Sequence, residues 1–198
     1  MPRFIETIKL LDGEFYNLEH HQSRLEFTFS RFFNGLDTVN LKRELDEIPR
    51  PMLGLFKCRV VYEEKINKIT FQPYTIKPIQ SLKLVEANDI EYNFKFENRD
   101  QLNHLYNLKG SADDIIIIKN GLVTDSSYAN LIFKRGDDWI TPESPLLLGT
   151  MRQKLIDENK IKSDAILIDE ISKYEKVKLI NSMLGCGGPE VEISKIVF

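Results

Sequence analysis

Two tight-turn dipeptides constrain what this chain can fold into. Asp12-Gly13 separates the apolar runs FIETIKLL and EFYNL, and Asn120-Gly121 separates DIIIIK from LVTDSSYANLIF. Residues of these types tolerate the positive φ that a two-residue turn demands, so the first pair predicts a hairpin over residues 4–16 and the second turns one strand into the next. LGLFKCRVVYEE and NKITFQPYTI read as a second hairpin. SLKLVEA and EYNFKF read as strands, the latter with Tyr92, Phe94 and Phe96 on one side and Asn93, Lys95 and Glu97 on the other. Helical spacing of Leu25, Phe29, Phe32 and Phe33 predicts a helix from about Glu19 to Phe33, with Gly35 as its cap. Shorter helices are expected at LKRELDEI, at RDQLNHLYNL up to Gly110, and near Thr150–Asn159. AILID, VKLINSML and EVEISKIVF close the chain as strands around one more short helix. Hairpins outnumber βαβ units, which makes the fold class α+β. The stretch Tyr74–Gln80, with Pro78, is the best linker, and it divides a small lobe (1–76) from a larger one (81–198) that includes Lys95.

Composition removes several classes of protein. At 198 residues and 23.1 kDa the chain can bury a core without disulfide or metal staples. No apolar run approaches the roughly 20 residues of a membrane span, and MPRFIETIKLLDGEF lacks the apolar core of a signal peptide, so a cytoplasmic protein is expected. With 27 basic against 30 acidic side chains and no basic stripe, nucleic acid is not the expected partner. Cys58 and Cys186 form neither a disulfide framework nor a zinc quartet, and His20, His21 and His104 read as surface or capping residues, so no metal is expected. The glycine patterns of dinucleotide and triphosphate sites are absent.

Lys95 occupies the middle of an apolar segment opposite three aromatics. A lysine there is either solvated or a Schiff-base lysine whose pKa is lowered by burial. Its company weighs on that choice: Gly121-Leu-Val-Thr-Asp125, four residues, then Asn130-Leu-Ile-Phe; Thr141-Pro142; and Leu147-Leu-Gly149-Thr150-Met151-Arg152. Upstream stand Phe4-Ile-Glu6-Thr7-Ile8 and His21-Gln-Ser-Arg24-Leu25. In this order the five segments resemble the class IV aminotransferase family, the fold-type IV pyridoxal-phosphate enzymes, from about residue 4 to about residue 185. The resemblance implies a two-lobed, D-amino acid aminotransferase-like architecture with a shortened N-terminal lobe, pyridoxal 5'-phosphate as cofactor, a small-molecule amino substrate, and a homodimer.

Residue by residue, the resemblance makes Lys95 the lysine that carries the cofactor and then shuttles the proton. Asp125 falls where the family places a glutamate against the pyridine nitrogen, with the same charge but one methylene less. Arg24 matches the phosphate arginine. Gly149, Thr150 and Met151 open a helix whose free N–H groups suit an anion, although threonine comes one place earlier than in the family's Gly-Ile-Thr. Ser182 matches a position that supplies a further hydroxyl to the phosphate. Arg59 reads as either a solvent-side strand arginine or the partner of a substrate carboxylate; Arg152 reads as structural and Glu6 has no assigned role. Lys95-Phe-Glu-Asn98-Arg99 looks like the Lys-x-x-Asn-Arg of some lyase members, and Asp100 stands where some aminotransferases have tyrosine. The implied reaction is therefore 4-amino-4-deoxychorismate lyase, with a branched-chain or D-amino acid transaminase and a non-catalytic relative as alternatives.

Overall fold

The computed structural model describes residues 1–197, and the chain divides into two compact units. The first comprises Met1–Thr75 together with Phe94–Asn98; the second comprises Ile76–Asn93 and the chain from Arg99 onward.

In the first unit, β1 (Phe4–Leu11) and β2 (Glu14–Phe15) form the hairpin expected from Asp12-Gly13, whose φ values of 48° and 82° are both positive. β3 (Leu55–Tyr62) and β4 (Ile66–Pro73) form the second hairpin, and antiparallel pairing of β1 with β3 gives the sheet order β2-β1-β3-β4. Strand alternation sends Phe4, Glu6, Ile8 and Leu10 to one face, where all four are fully buried. That face receives α1 (Leu18–Phe32) through Leu25 and Phe29, and α2 (Leu41–Asp46) through Leu41 and Leu45. Asn40 caps α2 by accepting from the Arg43 N–H at 3.0 Å.

EYNFKF is not a strand. The Ile5 N–H donates to the Lys95 carbonyl at 2.9 Å and the Glu97 N–H to the Arg3 carbonyl at 2.8 Å, around a single bridge between Phe4 and Phe96. One bridge at the end of β1 is too little pairing to straighten the segment. Phe94 and Phe96 instead pack their rings on Phe4 and Phe32, with centroids 4.8–6.4 Å apart. These contacts draw Phe94–Asn98 into the first unit, so Lys95 belongs there and not with the larger, C-terminal unit. Tyr92 stays in the second unit, which splits the three aromatics that alternation grouped together.

The second unit holds two sheets around one core. β5 (Leu82–Glu86) and β6 (Asp114–Lys119) run parallel, with α3 (Asp100–Asn107) between them in sequence and packed on β6. β7 (Leu122–Val123) returns antiparallel to β6 through the Asn120-Gly121 turn. β8 (Asn130–Arg135), β9 (Asp138–Pro142), β10 (Lys162–Asp164), β11 (Lys176–Ile180) and β12 (Glu190–Glu192) form the other sheet, in the order β10-β9-β8-β11-β12. Ile116 and Ile118 from one sheet meet Leu131, Phe133, Val177 and Leu179 from the other. The intervening Ile132 and Ile180 face the opposite way and pack on Leu155 of α4 (Thr150–Asp157).

AILID is likewise irregular. The Ile166 carbonyl accepts from the Val123 N–H at 2.8 Å, and Leu167 makes one bridge to Leu122. With β7 only two residues long, no ladder can extend there, and Ile168–Lys173 forms a 3₁₀ turn. EVEISKIVF breaks into β12, a second 3₁₀ turn and β13 (Ile196–Val197), which runs parallel to β5; the last residue expected in that strand lies outside the described residues. Among the described residues no helix is long and apolar enough to cross a membrane, and no cluster of His, Cys, Asp and Glu could hold a metal ion.

Candidate active site

Glu6 is the centre of the polar cluster in the first unit. Its place on the inward face of β1 buries the carboxylate completely. His21 and Arg24, one turn apart on α1, both reach it. His21 Nδ1 lies 2.6 Å from Glu6 Oε2, while Arg24 donates from Nε to Oε1 at 2.9 Å and from Nη2 to Oε2 at 2.5 Å. This is the parallel fork in which a guanidinium binds a carboxylate most tightly. Burial alone would raise the Glu6 pKa, but the charge and hydrogen bonds of Arg24 and the contact with His21 hold it at about 2. Burial pushes His21 below its ordinary value, the Glu6 contact opposes this, and the charges of Arg24 and Lys95 reinforce it. The cluster is therefore an ionised Glu6–Arg24 pair beside a neutral imidazole.

His21 is thus a core residue, which corrects the expectation of a surface or capping histidine. Glu6, without an assigned role from the sequence, is the residue that orients Arg24. The signal was present: in Phe4-Ile-Glu6-Thr-Ile8 the glutamate alternates in step with two buried apolar residues. Arg59, opposite Thr7 in the β1–β3 register, donates from Nη2 to Glu97 Oε1 at 2.9 Å, and Arg3 Nη1 stands 3.2 Å from Glu97 Oε2. Arg59 is therefore ion-paired rather than simply solvated.

In the second unit, Asp125, Asn130 and Leu147 form a closed ring of hydrogen bonds. Asn130 Nδ2 donates to Asp125 Oδ1 at 2.8 Å and to the Leu147 carbonyl at 2.9 Å, and the Leu147 N–H donates to Asp125 Oδ2 at 2.9 Å. Burial raises the Asp125 pKa to about 6; the Leu147 N–H, Asn130 and the charge of Arg152 limit the rise, so the group is ionised at neutral pH. Arg152 donates to Thr141 Oγ1, the Pro142 carbonyl and Ser163 Oγ, at 2.9–3.2 Å, which ties the start of α4 to β9 and β10.

Gly149, the N-cap of α4, has no side chain with which to cap it, and Thr150 is buried while Met151 is half-buried. A Cβ at Gly149 would overlap Asn130 Oδ1, so the glycine permits the ring around Asp125 to close against the helix start. Gly149→Ala is expected to push Asn130 aside and cost about 1–3 kcal/mol, the ordinary range for overpacking, measured by urea unfolding. Ser182 lies in the turn after β11, shaped by Asn181 Oδ1 accepting from the N–H groups of Met183 and Leu184 at 2.9 Å each. Arg99, beside Asn98 in sequence, donates to the Ser127 carbonyl at 2.6 Å. Sequence reading also passed over Asp114, whose carboxyl is fully buried and above its ordinary pKa because burial outweighs the nearby Ser126 and Ser127.

The family model described as "Amino-transferase class IV" matches residues 3–188, and the chain belongs to that family. It is 37% identical over 188 residues to an uncharacterised protein of Haemophilus influenzae, covering 93% of this chain and 100% of that one. It is 31% identical to a Schizosaccharomyces pombe protein named "Putative aminodeoxychorismate lyase", covering 87% of this chain and 83% of the relative. Among solved structures, that of a "putative 4-amino-4-deoxychorismate lyase" from Haemophilus somnus 129PT superimposes with a TM-score of 0.86 at 35% identity, covering 93% of this chain and 98% of that one. The architecture is that of the fold-type IV enzymes, a pyridoxal-phosphate-dependent family, on a chain of only 198 residues.

Proposed function

We propose that this protein is a pyridoxal-phosphate enzyme that cleaves 4-amino-4-deoxychorismate into pyruvate and 4-aminobenzoate, acting as a cytoplasmic homodimer. The observation that carries the reading is Arg24, fixed through two hydrogen bonds by a fully buried carboxylate in the same compact unit as Lys95. Such an arginine is pre-aimed, and anion binding spends little of its conformational freedom.

Each unit holds residues of the kinds the cofactor needs. Arg24 in the first unit and, in the second, the start of α4 at Gly149, Thr150 and Met151 and the Ser182 hydroxyl are groups of the kind a phosphate takes. Asp125, ionised at neutral pH, is suited to a protonated ring nitrogen. When bound, pyridoxal phosphate supplies the electron sink for the pair left behind by proton loss. Lys95 Nζ would hold the cofactor covalently. The Nζ, once freed, would remove the proton from the carbon bearing nitrogen; the C–O bond would break with its electron pair leaving on enolpyruvate, which becomes pyruvate on protonation of its methylene carbon. Arg59 would bind a substrate carboxylate. Lys95-x-x-Asn98-Arg99 and the names of two of the three relatives above 30% identity support the lyase over the transaminase.

Incubation of purified protein with aminodeoxychorismate is expected to release pyruvate and 4-aminobenzoate in equal amounts. Accumulation of the pyridoxamine form with an amino donor, and its recovery with a keto acid, would replace the lyase by a transaminase. Protein that takes up no cofactor at all would leave a non-catalytic member of the family.

A further inference from the structure

We propose that Glu97 is a specificity-determining residue: its carboxylate occupies Arg59 in the free protein as an internal stand-in for the carboxylate of an anionic amino substrate, which binds by displacing it. The inference rests on the amine-substrate reading above and deepens it.

Arg59 from β3 and Arg3 from the segment before β1 converge on this one carboxylate, at 2.9 Å and 3.2 Å on its separate oxygens. The backbone of Glu97 is anchored by the same pair of hydrogen bonds, through Arg3 and Ile5, that positions Lys95 two residues earlier. The stand-in and the lysine are thus set by one short piece of chain. Two guanidiniums face Glu97, while Glu63 stands 3.9 Å from Arg3. Arg59, Arg3 and Glu97 alone carry one net positive charge. Strand alternation adds Lys57 and Lys9, cross-strand partners in the β1–β3 register, to the sheet face that bears Arg59.

Accessibility and strength suit exchange. The side chains of Arg59 and Glu97 are 30% and 28% exposed, so a dissolved anion can approach them. At such exposure an ion pair is weak, and an incoming carboxylate can displace it by forming the two-pronged contact. Glu97 is the only acceptor of the Arg59 guanidinium among the described residues, and it uses one N–H of that group's five. Donors for a second carboxylate oxygen are therefore already in place.

The test is calorimetric titration of the full chain with succinate at low ionic strength, with and without pyridoxal phosphate. Glu97→Gln is expected to tighten succinate binding at least fivefold, and the gain is expected to vanish in Glu97→Gln/Arg59→Gln. Binding no tighter than wild type, or a gain that survives loss of Arg59, overturns the proposal. Should the Glu97 variant fail to fold, the wild-type protein still decides: succinate must shift the Arg59 Nε resonance, and an unmoved resonance refutes displacement. Because succinate binding requires no cofactor, the two readings can fail separately. Colourless protein with the Glu97 effect refutes only the cofactor, and yellow protein without it refutes only the displacement.

Discussion

Lys95→Ala is expected to yield folded protein that no longer retains pyridoxal phosphate covalently and has lost at least about a thousandfold in turnover, since one side chain performs both the attachment and the proton transfer. The main chain of Lys95 sets its register with β1, through its carbonyl and Ile5. The packing of Phe94 and Phe96 on Phe4 does not involve the lysine side chain. The variant should keep a cooperative unfolding transition while absorbance near the Schiff-base band disappears. Loss of fold together with loss of colour would instead make Lys95 a structural residue.

Glu6→Gln is expected to cost about 3 kcal/mol at pH 7, the largest stability effect of any single change considered. Two arguments converge on that size. Breaking one partner out of a buried ion pair typically costs about 3–5 kcal/mol, and Arg24, with a side chain 11% exposed, would keep its charge without a counter-ion. Separately, a carboxyl held at about 2 instead of 4.5 corresponds to about 3 kcal/mol of linkage. Because the folded pKa is the lower one, this contribution is complete above pH 4.5 and is lost as pH falls toward 2. The deficit of the Gln variant relative to wild type should shrink over that window, measured by urea unfolding at several pH values. Asp125 has the opposite sign. Its folded pKa, raised from 3.8 to about 6, makes the folded state bind the proton more tightly, so its ionisation erodes stability as pH rises through that interval. A Glu6→Gln deficit that is constant from pH 7 to pH 2 would contradict the ion pair.

The parts of the fold that were legible in the sequence are those written in local periodicity. Asp12-Gly13 and Asn120-Gly121 specify their turns through residues that accept positive φ, and the spacing of Leu25 and Phe29 specifies the buried face of α1. Alternation alone misled at EYNFKF and AILID. A strand needs a partner along its length, and these segments find one bridge each, a fact decided by distant residues at the start of β1 and in β7. The same limit applies to the site. Lys95, Arg24 and Asp125 could be named from their motifs, and the burial of Glu6 follows from its place between Phe4 and Ile8. The Glu6–Arg24 pairing joins residues 18 apart, the Asp125–Leu147 bond residues 22 apart, and the Glu97–Arg59 contact residues 38 apart. No local pattern records such partnerships. The proximity of Gly149 to Asn130 has the same origin, arising only once β8 and α4 are packed.

The most direct test of the account is the site of covalent attachment. Protein incubated with pyridoxal phosphate, reduced with borohydride and digested should carry a single reduced cofactor on the peptide containing Lys95, and the yellow colour should be lost on reduction. An adduct on a different lysine, or no adduct on protein shown to be folded, would contradict the assignment of Lys95 and, with it, the reaction proposed for this chain.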